Sequence, residues 1–126
     1  IAQSLISQLF AVAKEQVVTN SLVNRAQRSH VQTVKQVHDY LRHCPTEPVY
    51  VLDLCRALGM SQPTLFRAFR HTLGIGPKEY LQIRRLHLSR QTLLQGNPAV
   101  SVQDVAYDLG FWHLGRFSRA YRTLFG

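Results

Sequence analysis

Acidic side chains are scarce in this sequence: seven Asp and Glu stand against fifteen Lys and Arg, leaving a net charge of +8 with histidine neutral. Most of the basic residues follow position 50. Such an excess favours a polyanionic partner, either nucleic acid or an anionic membrane face. Cysteine is scarcer still. Cys44 and Cys55 are too few, and wrongly spaced, for a disulfide framework or a zinc finger. His38, His43 and Cys44 cluster without a fourth ligand at a useful spacing, so the cluster reads as an ordinary helix end. No apolar run approaches the ~18 residues of a membrane span, and no signal peptide is present. These absences leave a reducing, cytoplasmic setting as the expectation. The chain opens on Ile1 rather than Met, which predicts a piece of a longer protein. A hydrophobic content of 45% in 126 residues is ordinary for a globular fold and excludes wholesale disorder.

What the sequence does contain is a stretch that occurs twice. Val102, Asp104, Leu109 and Gly110 fall on Val51, Asp53, Leu58 and Gly59 at one offset. With one residue inserted in the turn, Arg119, Ala120, Arg122 and Gly126 fall on Arg67, Ala68, Arg70 and Gly74. Leu54 with Val105, Met60 with Phe111, and Phe69 with Tyr121 are conservative exchanges. A self-match of this kind marks a duplicated structural unit.

Helical periodicity runs through most of the chain. Ile1, Leu5, Leu9 and Val12 or Ala13 form a single apolar stripe ending near Val18. Two readings of it stay open: a helix packed on its own domain, or one that belongs with an upstream domain or a dimer contact. Residues 22–43 resume the period, with Val31, Val34, Val37, His38 and Leu41 inward and Arg25, Arg28, Lys35 and Arg42 on a solvated face. Pro45 and Pro48 end that helix. Val51 to Leu58 predicts a short helix with Leu54, Cys55 and Leu58 inward, stopped by a left-handed Gly59. Met60 is expected as a buried plug, Ser61 as the next N-cap, and Pro63 in the following first turn. Helix, glycine turn, N-cap and helix make a helix-turn-helix. At 100° per residue Leu65, Ala68, Phe69 and Thr72 face the core, and Pro63, Phe66, Arg67 and Arg70 face outward.

Pro77 opens a longer helix to about Leu94. Its apolar residues Tyr80, Leu81, Ile83, Leu86, Leu88, Leu93 and Leu94 cover too much circumference for one stripe, so it is expected to be buried against both copies. Arg84 and Arg85 either reach DNA phosphate or pair with acids in the copies, and pairing within the core is the slightly favoured reading. In the second copy Val102, Val105, Ala106 and Leu109, then Phe117, Ala120, Tyr121 and Leu124, are expected inward. Gly115, Ser118, Arg119 and Arg122 turn outward beside Arg116. Trp112 reads as a packing residue or backbone contact, while His113 and Leu114 sit at the tip.

The stretches DLCRALGMSQPTLFRAFR, LGIGPKEYLQIRRLHLSRQTLL and DVAYDLGFWHLGRFSRAYRTLFG resemble the DNA-binding domain of the AraC/XylS family of bacterial transcription regulators. The resemblance implies an all-α, homeodomain-like fold: two helix-turn-helix subdomains, at 22–77 and 96–126, joined by a connector helix at 78–95. Residues 1–21 would adjoin an upstream regulatory domain. The family's proline-containing tail is absent after Gly126, again as expected of a fragment. The helices from Ser61 and from Trp112 would enter neighbouring major grooves. Base-reading positions then fall on Pro63, Phe66 and Arg67, and on His113, Leu114, Gly115, Arg116 and Arg119. Phosphate-contacting positions fall on Ser61, Gln62, Thr64, Arg70, Trp112, Ser118 and Arg122. Pro63 and Gly115 have no side-chain donor, which shifts recognition onto the arginines. The implied partners are double-stranded DNA with an asymmetric operator, RNA polymerase, and a second copy met through the upstream domain, with no membrane and no cofactor. The implied role is transcription activation. Two alternatives stand beside it: the DNA-binding module of an alkylation-repair methyl acceptor, which needs an exposed, activated cysteine, and a helix-turn-helix that binds protein.

Overall fold

The computed structural model describes position 8 and residues 25–126; apart from that one position, the helix expected over residues 1–18 lies outside the described residues. Among the described residues there are six helices: α1 (Arg25–Arg42), α2 (Val51–Leu58), α3 (Gln62–Leu73), α4 (Pro77–Leu94), α5 (Val102–Asp108) and α6 (Leu114–Phe125). The expected all-α architecture, two helix-turn-helix motifs with a helix between them, is what is found.

Each motif is closed by the same local chemistry. At the start of α2 the Tyr50 N–H donates to the Asp53 carboxylate at 2.9 Å. At the start of α5 Ser101 N–H donates to Asp104 at 3.4 Å, while Ser101 Oγ accepts from Asp104 N–H at 3.1 Å. The two aspartates that match in the sequence are therefore cap residues, each answering an orphan donor of a first turn. Both first helices stop at a left-handed glycine, Gly59 with φ 64° and Gly110 with φ 84°, a conformation that penalises any Cβ. At Gly110 the reason is doubled, because a Cβ there would overlap the Tyr50 hydroxyl.

The repeat is longer by one helix than the sequence match. The ends of α1 and α4 lie 52 positions apart, as do those of α3 and α6, and α2 and α5 begin 51 apart. Burial follows the same register: Val34 with Leu86, and Val37 with Ser89, are buried in both copies. The chain is thus two three-helix units, α1–α3 and α4–α6. The first core gathers Val34, Val37, Leu41, Leu54, Leu65 and Phe69, and it takes Tyr80 and Leu81 from α4. Phe69 and Tyr80 meet edge-on at 5.1 Å. The second core gathers Leu86, Ala106 and Phe117, with Leu88, Val105 and Leu109 beside it. α4 serves both. Positions that face solvent on α1 (Arg28, Ser29, Gln32, Lys35 and Gln36) correspond to buried Tyr80, Leu81, Arg84, His87 and Leu88 on α4. The additional burial on α4 includes its contact with the first unit.

Several expected core positions turn out exposed. Leu94 is 63% exposed, because Leu93 occupies the side of α4 that packs on Leu88, Val105 and Leu109. Val102, in the first turn of α5, is 49% exposed, and burial begins one turn later at Val105 and Ala106. Leu124 is 38% exposed; Phe125 takes the packing place, edge-on to His87 at 5.0 Å and 4.7 Å from the Tyr121 ring. Met60, Thr72, Cys55 and Leu58 are half-buried rather than enclosed. Trp112 is 82% exposed and packs into no core of the chain. α6 starts at Leu114 with His113 at the N-cap, opposite Ser61, so Trp112 is the residue that lengthens the second turn.

Among the described residues, neither Arg84 nor Arg85 pairs with an acid; their partners are backbone carbonyls and aromatic rings. Arg84, 3% exposed, donates to the backbone carbonyls of Glu47, at 2.6 Å, and of Cys44. It ties the loop after α1 to the connector. Removing it leaves two carbonyls of part-buried bonds without their donor, so Arg84→Met is expected to cost about 1–3 kcal/mol in urea unfolding. Arg84→Lys should recover little, since one ammonium does not reproduce the fork. His87 is 5% exposed, and neither ring nitrogen has a hydrogen-bond partner. Burial pulls its pKa below the ordinary 6.5, with Arg90 adding to the shift. The unfolded chain therefore takes up the proton first, and the stability held above pH ~6.5 falls as the pH drops through and below that value. Urea midpoints measured from pH 8 to pH 5 should show the decline, and His87→Leu should flatten it.

Candidate nucleic-acid interface

Neither α3 (QPTLFRAFRHTL) nor α6 (LGRFSRAYRTLF) contains an acidic residue. Their inward faces are taken by Leu65, Ala68 and Phe69 in α3 and by Phe117 in α6, all four buried, with half-buried Ala120 and Tyr121 extending the α6 face. What remains outside is basic. Arg67 and Arg70 on α3, and Arg116, Arg119 and Arg122 on α6, are all exposed.

On α3, Ser61 Oγ accepts from Thr64 N–H at 3.3 Å and lies 2.9 Å from the Thr64 hydroxyl, so both side chains are committed to the helix start. Pro63 falls in the first turn, where a missing N–H costs nothing. Gln62 and Pro63 are exposed, and Thr64 is half-buried. Phe66 is 53% exposed and leans over the start of α4, where a Cβ on Gly76 would stand 3.6 Å from its ring. Arg70 holds its guanidinium 5.9 Å above the Phe66 ring and donates to the Gly74 carbonyl at 3.1 Å. That places a cation at the negative end of α3. Arg67 projects freely between these groups and a histidine pair, His30 and His71, whose rings are 5.0 Å apart. Burial, then His71 and then Arg67, lowers the His30 pKa.

On α6, His113, Leu114, Gly115, Arg116 and Arg119 are exposed, and Ser118 is half-buried. His113 makes no side-chain cap bond, unlike Ser61 in the first unit. Thr123 Oγ1 donates to the Arg119 carbonyl at 2.8 Å, and the Arg119 side chain is exposed. The residues expected outward thus form two matched faces, one per unit. Sequence reading missed three features beside them. Gly76 supports Phe66, His30 and His71 border Arg67, and Lys78 lines a cleft with Arg116. Arg67 and His71 lie one turn apart on α3, but the approach of His30 to His71, of Phe66 to Gly76 and of Lys78 to Arg116 is tertiary and leaves no mark in the periodicity of any one helix.

The family described as a helix-turn-helix domain matches residues 54–126. The chain is 35% identical over 94 residues to the probable thc operon regulatory protein of Rhodococcus erythropolis, a match covering 74% of this chain and 28% of that protein. It is 41% identical over 68 residues to XylDLEGF operon transcriptional activator 1 of Pseudomonas putida, covering 53% of this chain and 20% of that one. It is 27% identical over 118 residues to the HTH-type transcriptional regulator ExsA of Pseudomonas aeruginosa, covering 94% and 41%. These matches span from a fifth to about two fifths of the relatives' own length. No solved structure matches the chain. Two stacked helix-turn-helix units, two acid-free arginine faces and these relatives lead to one assignment: the chain belongs to the helix-turn-helix domain of the AraC/XylS family of DNA-binding transcription regulators.

Proposed function

We propose that α3 and α6 are recognition helices that enter successive major grooves on one face of a duplex, about one helical turn or ~34 Å apart. The observation that carries this is the duplicated outward face: two helices in equivalent positions, five exposed arginines between them, and no carboxylate on either helix. In this reading Arg67 and Arg119, which coincide in the repeat, each present a guanidinium fork to guanine O6 and N7. Phe66, Pro63, Leu114 and Gly115 supply shape and apolar contact, and His113 and Arg116 edge the second groove. Ser61, Gln62, Thr64, Arg70, Trp112, Ser118 and Arg122 line the phosphate walls. The units differ around their common arginines, so the operator they favour is asymmetric.

The domain organisation we propose is two units sharing α4, with residues 1–21 leading from an upstream regulatory domain through which two copies meet. XylDLEGF operon transcriptional activator 1 is an activator by name, and activation, with RNA polymerase as the protein partner, is the role we propose here. No described helix is long and apolar enough to cross a membrane, and a cytoplasmic site fits a DNA ligand. We assign no catalytic step. Cys55 and Cys44 are half-buried, both packed against the first core, a poor setting for an activated thiolate.

Selecting bound sites from a random DNA pool gives the duplex for the test. On it, Arg67→Ala and Arg119→Ala are each expected to cost about 1–3 kcal/mol and to relax preference at one position, with binding to random DNA nearly unchanged. Equal losses on both DNAs would reduce these residues to phosphate contacts. Arg122→Gln is expected to weaken binding to every sequence alike and to lower the slope of log K against log salt by about 1. Arg70→Gln should do the same with some loss of helix stability, since Arg70 also caps α3.

A further inference from the structure

Between the two units lies a cleft of about 350 Å³ that the recognition faces do not account for. Its cations are Lys78 and Arg85 from one side of α4 and Arg116 from the second turn-helix, and none of its lining residues is acidic. The Arg85 guanidinium lies 4.9 Å from the Tyr50 ring centre and 5.4 Å from that of Phe111. Ring faces satisfy the charge of a guanidinium but not its in-plane donors. Arg85 Nε is buried with no hydrogen-bond partner. A half-buried cation with no anion beside it among the described residues, next to two more cations, is a receptor for a group rich in acceptor oxygens.

The position of the cleft says which group. Phe66, on the first reading face, packs on Gly76 at the N-cap of α4, and Lys78 follows two residues later. Arg116 lines both this cleft and the adjoining groove that holds Arg119, on the second reading face. The cleft therefore sits between the two faces, where a duplex spanning both would carry its backbone from one major groove to the next. Tyr50 and Gly110, one from each unit, fix its walls through their close contact.

We propose that this cleft is a phosphate seat: Lys78, Arg85 and Arg116 hold backbone phosphates of the DNA between the two half-sites. The seat rests on the DNA-binding reading above and adds to it a third anchoring point, away from the bases. It positions the duplex against both helices at once and makes the distance between half-sites part of what is recognised.

The test is a cycle between protein and DNA changes on the duplex selected by the wild-type chain. Neutral methylphosphonates replace the phosphates between the half-sites, and affinity is measured for the wild type, Lys78→Gln and Arg85→Gln. Lys78 is exposed, so its variant keeps the fold even if removing Arg85 loosens the packing of Tyr50 and Phe111. The neutral linkages are expected to weaken the wild type roughly threefold to tenfold and to weaken Lys78→Gln and Arg85→Gln by a clearly smaller factor, since each has already lost one of the three contacts. Losses that multiply, or a wild type indifferent to the linkages, overturn the seat while specific binding through Arg67 and Arg119 stands. Failure of the wild type to prefer any duplex overturns the earlier reading instead. Saturable binding of inorganic pyrophosphate to the free chain, abolished by Lys78→Gln, with the neutral duplex bound normally, would give the cleft to a small phosphate ligand and overturn the assignment to DNA.

Discussion

The fold depends on one helix being asked to complete two cores. α4 stands in the second unit where α1 stands in the first, yet it also closes the first core with Tyr80 and Leu81. A helix with a single apolar stripe does not do this; α4 needs buried residues around much of its circumference. Position by position, the solvent face of α1 becomes an interior face on α4, and Arg28, Gln32 and Gln36 give way to Tyr80, Arg84 and Leu88. Each fully buried large side chain of this kind is worth ~1.5–3 kcal/mol, so the shared helix couples the stability of the two units. It also leaves them little freedom to rotate independently, and two reading helices need that constraint if they are to meet one duplex together.

The adjacent arginines of α4 divide the remaining task. Arg84 points into the first unit and takes carbonyl oxygens at Cys44 and Glu47, so its charge is solvated by backbone dipoles in place of water. Arg85 sits among aromatic rings at the junction and touches a residue of each unit. The exposed arginines of α3 and α6 differ from both. With no acid on their own helices and open to solvent, they are left available to an outside anion. The same residue type thus plays three parts in one chain, separated by burial and by what lies within reach of the guanidinium.

Much of this was legible in the sequence. The duplicated glycine and aspartate positions, the capping serine at 61 and the proline breaks mark the helix borders because each acts on backbone within a few residues of itself. The inward faces of α1 and α3 follow from period alone. Periodicity erred at Leu94, Val102 and Leu124, where an apolar residue on the expected side has no element over it; which neighbour covers a face is tertiary information. The third repeated helix was missed because α1 and α4 share a register but few residue types, their surroundings being different. For Arg84 and Arg85 the sequence leaves acids or DNA phosphate open as partners, whereas the structure supplies carbonyls and rings.

The second turn shows how far duplication constrains a reading surface. With His113 at the N-cap and Phe111 in the place of Met60, Trp112 is an addition to the repeat, not a substitution within it. Register is restored by α6, whose bounds again lie 52 positions beyond those of α3, so the insertion leaves the core face of the helix unchanged. It alters what stands beside the helix start: an indole 82% exposed at the rim of the cleft, next to an N-cap that lacks the serine bond of the first unit. A flat, largely exposed aromatic that lines the cleft with Arg116 offers stacking and apolar contact where the first unit offers a hydroxyl. The two units therefore keep a common scaffold and a common arginine while presenting different chemistry beside the start of the second helix, and under the function proposed above that difference is what would let equivalent helices read two unlike half-sites.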